Sequence, residues 1–300
     1  MSKRTAMLLS GLCVGAIVAM FAFIYSTRGP VQASVSMPLE TSVTGVAPSE
    51  PTEEPAPEPE PSPTPSPTPS SKATTSSTKL SGQVPGGQVG AMVYDRAENK
   101  ALLAEHADTV FTTASLVKLL IAFDALDKGT SSNATVTQML SRSDDNIASS
   151  LWVANGGQSI VTRWAARMGL ARTKPPTDPG HWGSTRTTAS DMVKVYRYLM
   201  EKASDGIRSV VVTALRKATK AGADGFDQYF GIPNGIDKPW AVKQGWSCCD
   251  PTRNLHTTGL VGEEDRYIVV ILTSRPSSVS WAAGSRQVTA AAQAVEELLN

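Results

Sequence analysis

Cysteine is scarce in this chain, and the spacing of the few that exist excludes two common uses. Among 300 residues there are three cysteines: Cys13 lies in an apolar run, and Cys248 and Cys249 are adjacent. Such spacing gives neither a disulfide framework nor the paired ligands of a zinc site. Outside the cytoplasm the adjacent pair could form a vicinal disulfide or remain as two thiols. In either state we expect it to be structural, because neighbouring strand side chains point to opposite faces.

An excess of charge of either sign is also missing. Lys and Arg total 28 against 27 Asp and Glu, so the formal net charge is +1. Such a chain has no basic field to hold a nucleic-acid backbone, and we expect no nucleic-acid partner. No serine lies in a G-x-S-x-G sequence, which excludes the nucleophile turn of the α/β-hydrolases. The histidines His106, His181 and His256 are scattered, and we expect neither a metal nor an organic cofactor.

The first 25 residues predict a membrane anchor. Lys3 and Arg4 precede an unbroken apolar run from Ala6 to Tyr25. About 20 residues in a helix span roughly 30 Å, which is the thickness of the hydrocarbon core of a bilayer. The positive-inside rule keeps the basic start in the cytoplasm, so we expect a single-pass protein whose C-terminal part is extracellular.

Two other interpretations of this start are a cleaved signal peptide and a lipid-modified cysteine. The sequence Val31-Gln32-Ala33 resembles a signal-peptide cleavage site, although apolar cores of signal peptides typically run only about 7–15 residues. A lipid-modified Cys13 would need a small residue before it, and Leu12 is not small. We favour the uncleaved anchor, and cleavage remains the alternative.

Residues 26–83 are rich in Pro, Ser, Thr and Glu, with a near-repeat between Pro61 and Pro69. Too few large apolar side chains are present to offset the entropy of ordering, so we expect a disordered spacer. As polyproline II it could extend at about 3.1 Å per residue. A spacer through a cell wall and a passive linker are equally consistent with this composition.

Residues 84–300 have the length of one domain. Helical periodicity begins at Ala114–Leu126, the sequence remains helix-rich to about Ala221, and a last helix is predicted over Trp281–Leu299. Short strand-like runs are predicted at Gln88–Tyr94, Lys100–Glu105, Ala241–Trp246, His256–Val261 and Tyr267–Leu272. This order predicts an α+β fold in which both ends of the domain build one antiparallel sheet around an all-helical middle.

Ser115 and Lys118 form an S-x-x-K sequence at the start of the first predicted helix. Residues i and i+3 share a helix face, so a neutral Lys118 can reach the Ser115 hydroxyl and accept its proton. The helix start also supplies backbone N–H groups that can stabilise an oxyanion. A second S-x-x-K match, Ser76 to Lys79, falls in the predicted spacer, where the two side chains would have no fixed arrangement. Without further motifs, Ser115 would be interpreted as a helix cap.

Two further sequences follow in order. Ser141 to Asn146 resembles an S-D-N element, and Lys243-Gln244-Gly245 resembles K-T-G. This ordered trio, on a matching order of strands and helices, resembles the penicillin-binding proteins and class A β-lactamases. The resemblance covers residues 84–300 and implies the α+β fold of that group.

The resemblance also implies roles for individual residues. Ser115 would be the acyl-accepting nucleophile, Lys118 its base, Asn146 a partner of the substrate amide and Lys243 a partner of the substrate carboxylate. The backbone N–H groups of Ser115 and Trp246 would form the oxyanion hole.

The sequence departs from the family pattern at the second motif. Aligning Asp145-Asn146 with the last two letters of S-D-N puts Asp144 where the family has a proton-shuttling serine. A shift of one residue uses Ser143 instead and leaves an additional aspartate. Both alignments stay open, and Asp144 and Asn146 are the predicted catalytic residues.

Two departures affect the substrate site, which the resemblance assigns to Gln244, Gly245, Trp246 and Asp178. Gln244 replaces the threonine of K-T-G with a longer amide. The predicted active-site loop, 174–190, contains no glutamate, the residue that class A β-lactamases use for deacylation. Asp178 is its only carboxylate and is equally suited to forming a turn.

These features predict an extracytoplasmic serine hydrolase or acyl transferase that acts on D-alanyl peptides or β-lactam-like compounds through an acyl-serine intermediate. Efficient β-lactamase activity is not expected. The alternative is a catalytically silent module that binds cell-wall peptide in the same cleft.

Overall fold

The computed structural model describes residues 79–249 and 252–299. The strands are β1 (Gln88–Asp95), β2 (Lys100–Glu105), β3 (Phe111–Thr112), β4 (Arg186–Thr187), β5 (Trp240–Ser247), β6 (Thr252–Val261) and β7 (Tyr267–Pro276). The helices are α1 (Lys118–Asp127), α2 (Asn133–Ser141), α3 (Asp145–Ala154), α4 (Gln158–Met168), α5 (Ala189–Glu201), α6 (Asp205–Arg216), α7 (Ile232–Gly235) and α8 (Trp281–Glu296).

Five strands form one antiparallel sheet in the order β2-β1-β7-β6-β5, and β3 pairs with β4 in a separate ribbon. Strand β1 pairs with β7 along its whole length, from Gln88 opposite Ser274 to Asp95 opposite Tyr267. Both ends of the domain therefore build the sheet, and the predicted α+β fold is confirmed.

Strand β7 lies at the centre of the sheet and is buried on both faces. Ile268, Val270 and Leu272 pack into a core shared with the helical middle, whereas Val269 and Ile271 pack into a second core with α8. This alternation is the period of two expected of a strand. The continuous apolar sequence of β7 follows from its position between two layers of helices.

Helix α1 runs through the helical middle and is buried on nearly every side. Its first eight residues, Lys118 to Ala125, are all buried. The predicted helix over Ala114–Leu126 is divided in the structure: Ala114–Val117 form a 3₁₀ turn and the α-helix begins at Lys118. The 3₁₀ turn follows β3 directly and carries Ser115, so a strand and a helix fix the serine from both sides.

Local sequence explains where several helices begin. A side-chain oxygen that accepts a backbone N–H of the first helical turn is the usual N-cap. The helices α2, α3, α5, α6 and α8 begin in this way, and their caps are Ser132, Asp144, Thr188, Ser204 and Ser280.

The folded domain starts earlier than the sequence predicted. Leu80–Gln83 form a 3₁₀ turn, and the Leu80 side chain is fully buried against the sheet and α8. The backbone N–H groups of Leu80 and Ser81 donate to the Glu105 carboxylate over 2.6 and 3.0 Å. The sequence predicts spacer here because the only apolar residue of the turn is Leu80, and its contact with Glu105 is not visible in local sequence.

None of the helices in the part of the chain described here has the length and apolarity needed to span a bilayer. The predicted anchor at 1–25 and most of the predicted spacer lie outside the described residues.

Candidate active site

Ser115 lies in a cavity of about 450 Å³ between the helical middle and the end of the sheet. Only 5% of the residue is exposed. Strand β5 forms the opposite wall through Trp246. The preceding Gly245 is required for this close approach, because a Cβ there would lie 3.0 Å from the Thr113 carbonyl oxygen and 3.1 Å from Leu116. The two residues predicted to supply the oxyanion N–H groups, Ser115 and Trp246, therefore line one cavity.

Lys118 connects the nucleophile to a buried polar cluster. Its Nζ donates to Ser115 Oγ over 2.6 Å and to Asp145 Oδ1 over 2.6 Å, and lies 3.5 Å from Ser143 Oγ. The Nζ of Lys243 donates to the same Ser143 hydroxyl over 2.9 Å. Ser143 thus stands between the two lysine Nζ atoms, and a proton can pass along this path from Lys118 to Ser143.

The two lysines are held in different electrostatic surroundings. Burial lowers the pKa of Lys118 below its ordinary value of 10.5, while the Asp145 carboxylate acts against that shift. Burial also lowers the pKa of Lys243 well below its ordinary value, and the nearby Lys118 charge adds to the effect. Desolvation destabilises an ammonium ion, so both side chains release a proton more readily than lysine in water.

The structure favours the shifted alignment of the second motif. Ser143 has a left-handed backbone, with φ +54°, and its hydroxyl lies in the cluster. Asp144, predicted to be catalytic, instead caps α3 by accepting the N–H groups of Asn146 and Ile147. The exposed side chain of Asn146, also predicted to be catalytic, makes no hydrogen bond with any described residue. The residue that contacts Lys118 is Asp145.

Gln244, predicted to contact substrate, faces away from the cavity. Its Nε2 donates to the carbonyl oxygens of Gln228 over 2.9 Å and Phe230 over 2.6 Å. Neighbouring strand residues point to opposite faces, so Gln244 is buried on the other face of β5, whereas Lys243 points towards the serine. Lys243 itself is 1% exposed and is bonded to Ser143 and to the Gln244 carbonyl oxygen, so its ammonium group is not on the cavity surface.

The loop between α4 and β4 brings an indole to Lys118. The Trp182 ring centre lies 4.3 Å from Lys118 Nζ, and its Nε1 donates to Ser149 Oγ over 3.1 Å. Asp178, predicted to bind substrate, instead stabilises the loop by accepting the Gly180 N–H at 2.8 Å and pairing with His181 at 3.1 Å. The sequence does not predict the contact of Trp182 with Lys118, because no local pattern distinguishes Trp182 from the other loop residues.

The remaining candidates have structural surroundings. Cys248 and Cys249 are joined by a disulfide, and Cys248 lies at the edge of the cavity. His256 is fully buried; it bonds through Nε2 to the Thr112 carbonyl oxygen and accepts the Thr273 N–H at Nδ1. Residues 79–249 and 252–299 contain no cluster of three His, Cys, Asp or Glu side chains that could share a metal ion.

A sequence profile described as the Beta-lactamase enzyme family matches residues 128–300, more than half of the chain. The chain belongs to this family. The matched region contains Ser143, Asp145 and Lys243, whereas Ser115 and Lys118 precede it.

This member of the Beta-lactamase enzyme family is similar in sequence to proteins of two mycobacterial species. It is 37% identical over 206 residues to "Putative lipoprotein LppW" of Mycobacterium tuberculosis and of Mycobacterium bovis. The match covers 64% of this chain and 65% of each relative. The chain thus spans less than two thirds of the length of these relatives.

Solved structures support the fold. A mutant of PBP-A, captured as an acyl-enzyme complex with penicillin G, is 18% identical with a TM-score of 0.60, and the match covers 73% of this chain and 93% of that one. The β-lactamase of Streptomyces albus G is 17% identical with a TM-score of 0.60, covering 74% and 98%. The β-lactamase of Chitinophaga pinensis is 13% identical with a TM-score of 0.62, covering 74% and 97%.

Proposed function

We propose that the domain is a serine acyl transferase of the penicillin-interacting type, which forms an acyl ester on Ser115 and releases it slowly. Its acyl donors are D-alanyl peptides of the cell wall or β-lactam-like compounds. The observation that carries this proposal is the contact of 2.6 Å between Lys118 Nζ and Ser115 Oγ inside the cavity. A nucleophile bonded to a base is the arrangement that acyl transfer requires.

Acylation can be written with the groups present. Ser115 Oγ attacks the carbonyl carbon while its proton passes to the neutral Lys118 Nζ. The C–N bond of the amide then breaks, and the proton returns from Lys118 through the Ser143 hydroxyl to the leaving nitrogen. The backbone N–H groups of Ser115 and Trp246 would hold the oxyanion; loss of one such donor typically costs about 10²–10³ in rate.

Slow release of the ester follows from the loop over Lys118. Hydrolysis requires a positioned water and a base to activate it. The side chain that the loop directs at Lys118 is the Trp182 indole, which is not a base. His181 of the same loop lines the cavity, but its Nδ1 pairs with the Asp178 carboxylate at 3.1 Å. Asp178 is engaged with Gly180 and His181 at the surface. The two half-reactions use different groups, so loss of the second leaves the first intact.

The test is intact-mass spectrometry of the folded protein over time with benzylpenicillin, with Ser115→Ala as the blank. We expect one covalent adduct in the wild type and none in the variant. Turnover of a chromogenic cephalosporin is measured in parallel. A rate on the order of 10 s⁻¹, ordinary for an enzyme, would contradict slow release.

A second candidate is a catalytically silent module that binds cell-wall peptide. One observation favours it: Asp145 lies 2.6 Å from Lys118 and stabilises the charged lysine, which cannot accept the Ser115 proton. Absence of any adduct in the folded wild type, together with measurable binding of a D-alanyl peptide, would establish the module instead.

The proposal also includes location. The domain would act outside the cytoplasm while attached to the membrane through the start of the chain. The apolar run from Ala6 to Tyr25 supports this, and so does the description of the mycobacterial relatives as lipoproteins.

A further inference from the structure

The cavity that holds Ser115 has an unusual distribution of charge. Its lining includes one carboxylate, that of Asp145, and aromatic rings from His181, Trp182 and Trp246. No lysine or arginine among the described residues lines it, because Lys118 and Lys243 are buried beneath the surface. The group that this surface offers most directly to a ligand is therefore an anion.

Asp145 has one oxygen available for a ligand. The residue begins α3, and 66% of its side chain is exposed. Its Oδ1 bonds to Lys118 Nζ, and its Oδ2 makes no hydrogen bond with any other described residue. An ionised carboxylate accepts hydrogen bonds and donates none, so the atom opposite Oδ2 must be a donor. A charged donor gives the stronger bond.

Asp145 is also close to the reacting centre. Its Oδ1 and Ser115 Oγ are each 2.6 Å from the same Lys118 Nζ, so they cannot be more than twice that distance apart. A group bound at Asp145 therefore lies only a few bonds from the carbonyl that Ser115 attacks. The ring of Trp182 stands beside the same lysine, and aromatic faces also attract cations.

We propose that Asp145 determines specificity by selecting acyl donors that carry an ammonium group on the acyl side of the scissile bond. This inference rests on the proposed acyl transfer to Ser115 and adds the class of substrate. An asparagine at this position would present an N–H donor as well as an acceptor and would carry no charge. In the alignment that begins S-D-N at Ser143, Asp145 stands at the third letter, and in place of a neutral asparagine it favours a cation and repels a carboxylate.

Two penicillins provide matched probes. Ampicillin and benzylpenicillin differ by one α-amino group on the acyl side chain. At about pH 6.5 that amine is protonated, since α-amino groups titrate near 7.7–8.0. Rate constants of adduct formation are measured by intact mass for the wild type, Asp145→Asn and Asp224→Asn. The ratio of the two rate constants is the readout, because both probes meet the same Lys118 and any change in its pKa cancels.

Asp224→Asn is the matched control. The Asp224 carboxylate also favours the charged form of Lys118, and it accepts the Trp246 Nε1–H at 2.9 Å, which an asparagine oxygen can also do. It does not line the cavity. This variant removes the same charge without altering the surface that meets the ligand.

We expect the wild type to react on the order of tenfold faster with ampicillin, the effect of one charge-assisted contact. The ratio should fall to about one in Asp145→Asn and persist in Asp224→Asn. Equal rates in the wild type, or an equal fall of the ratio in both variants, would overturn the role of Asp145 alone. Absence of adduct with either penicillin would overturn the proposed acyl transfer, and the inference with it.

Discussion

At the scale of single residues, Lys118 is subject to two opposing influences. Burial removes its ammonium group from water and lowers the pKa, and Asp145 partly restores the charged form. Only neutral lysine can accept the Ser115 proton. The acylation rate should therefore rise with pH and level off above the pKa of Lys118, with a midpoint below 10.5.

Asp145→Asn should move this midpoint to lower pH, since it removes the carboxylate that stabilises the charged lysine. The measurement is the pH profile of adduct formation with benzylpenicillin. Asp144→Asn is the control, with a smaller shift in the same direction, because Asp144 is the weaker influence and asparagine also caps a helix. A midpoint that moves to higher pH in Asp145→Asn would contradict the assignment of Lys118 as the base.

His256 makes the domain sensitive to acid. Burial lowers its pKa from 6.5 to about 4, so between these values the unfolded chain binds a proton that the folded protein does not. Stability from this residue is complete above pH 6.5 and is lost as the pH falls towards 4, at about 1.4 kcal/mol per pH unit.

The prediction is tested by urea unfolding at several pH values in this window. His256→Gln should lose the portion of the pH dependence that comes from the histidine, whereas His181→Gln, whose parent side chain is 74% exposed, should retain it. Equal pH slopes in all three proteins would show that His256 is not held neutral in the fold.

At the scale of elements, Asp124 joins α1 to α4. Its carboxylate is 3% exposed and accepts bonds from Arg163 at 2.9 Å and from Trp164 Nε1 at 3.0 Å. Lys128, just after α1, also pairs with this carboxylate at 2.9 Å. Asp124→Ala would leave these three donors without this acceptor, and we expect a loss of about 2–3 kcal/mol in the free energy of unfolding.

Asp127→Ala is the matched control on the same helix pair. Asp127 bonds to Arg167 at 3.0 Å, but its side chain is 39% exposed, so the loss should be under about 1 kcal/mol. Both variants are compared by urea unfolding followed through tryptophan fluorescence. Losses of similar size would refute the special role of Asp124.

The elements also explain what could be predicted from sequence. The Ser115 and Lys118 pair was found because residues three apart meet within a helical turn. The sheet was found because its strands carry apolar runs bounded by turns. Strand alternation alone sets Gln244 on the face of β5 away from Lys243, so its position outside the cavity follows from the sequence.

Other parts of the site depend on distant contacts. The choice of Ser143 over Asp144 is fixed by a left-handed residue and by Lys243, one hundred positions later on β5. The contact of Trp182 with Lys118 depends on the path of the loop from α4 to β4. Neither the role of Ser143 nor the contact of Trp182 can be predicted from neighbouring residues in the sequence.

At the scale of the whole molecule, the proposed location of the domain can be tested through the start of the chain. We expect the domain in the membrane fraction, with added protease removing it from protoplasts and the N-terminus uncleaved. Cys13→Ser separates the two modes of attachment: an anchor over Ala6 to Tyr25 remains in the membrane, whereas a lipid-attached protein is released. A mature N-terminus at Ser34 would instead establish signal cleavage.

The pairing of β1 with β7 also determines how much of the chain must be made before the sheet can form. Ser115 and Lys118 leave the ribosome early, but β1 has only β2 beside it until residue 276 has been made. A two-stranded hairpin is marginal in water, and pairing between distant segments is slow. Lys243 and the Trp246 amide also arrive late. A chain that has not completed β7 therefore lacks the assembled site, and we expect any product truncated before the last strand to form no adduct on Ser115.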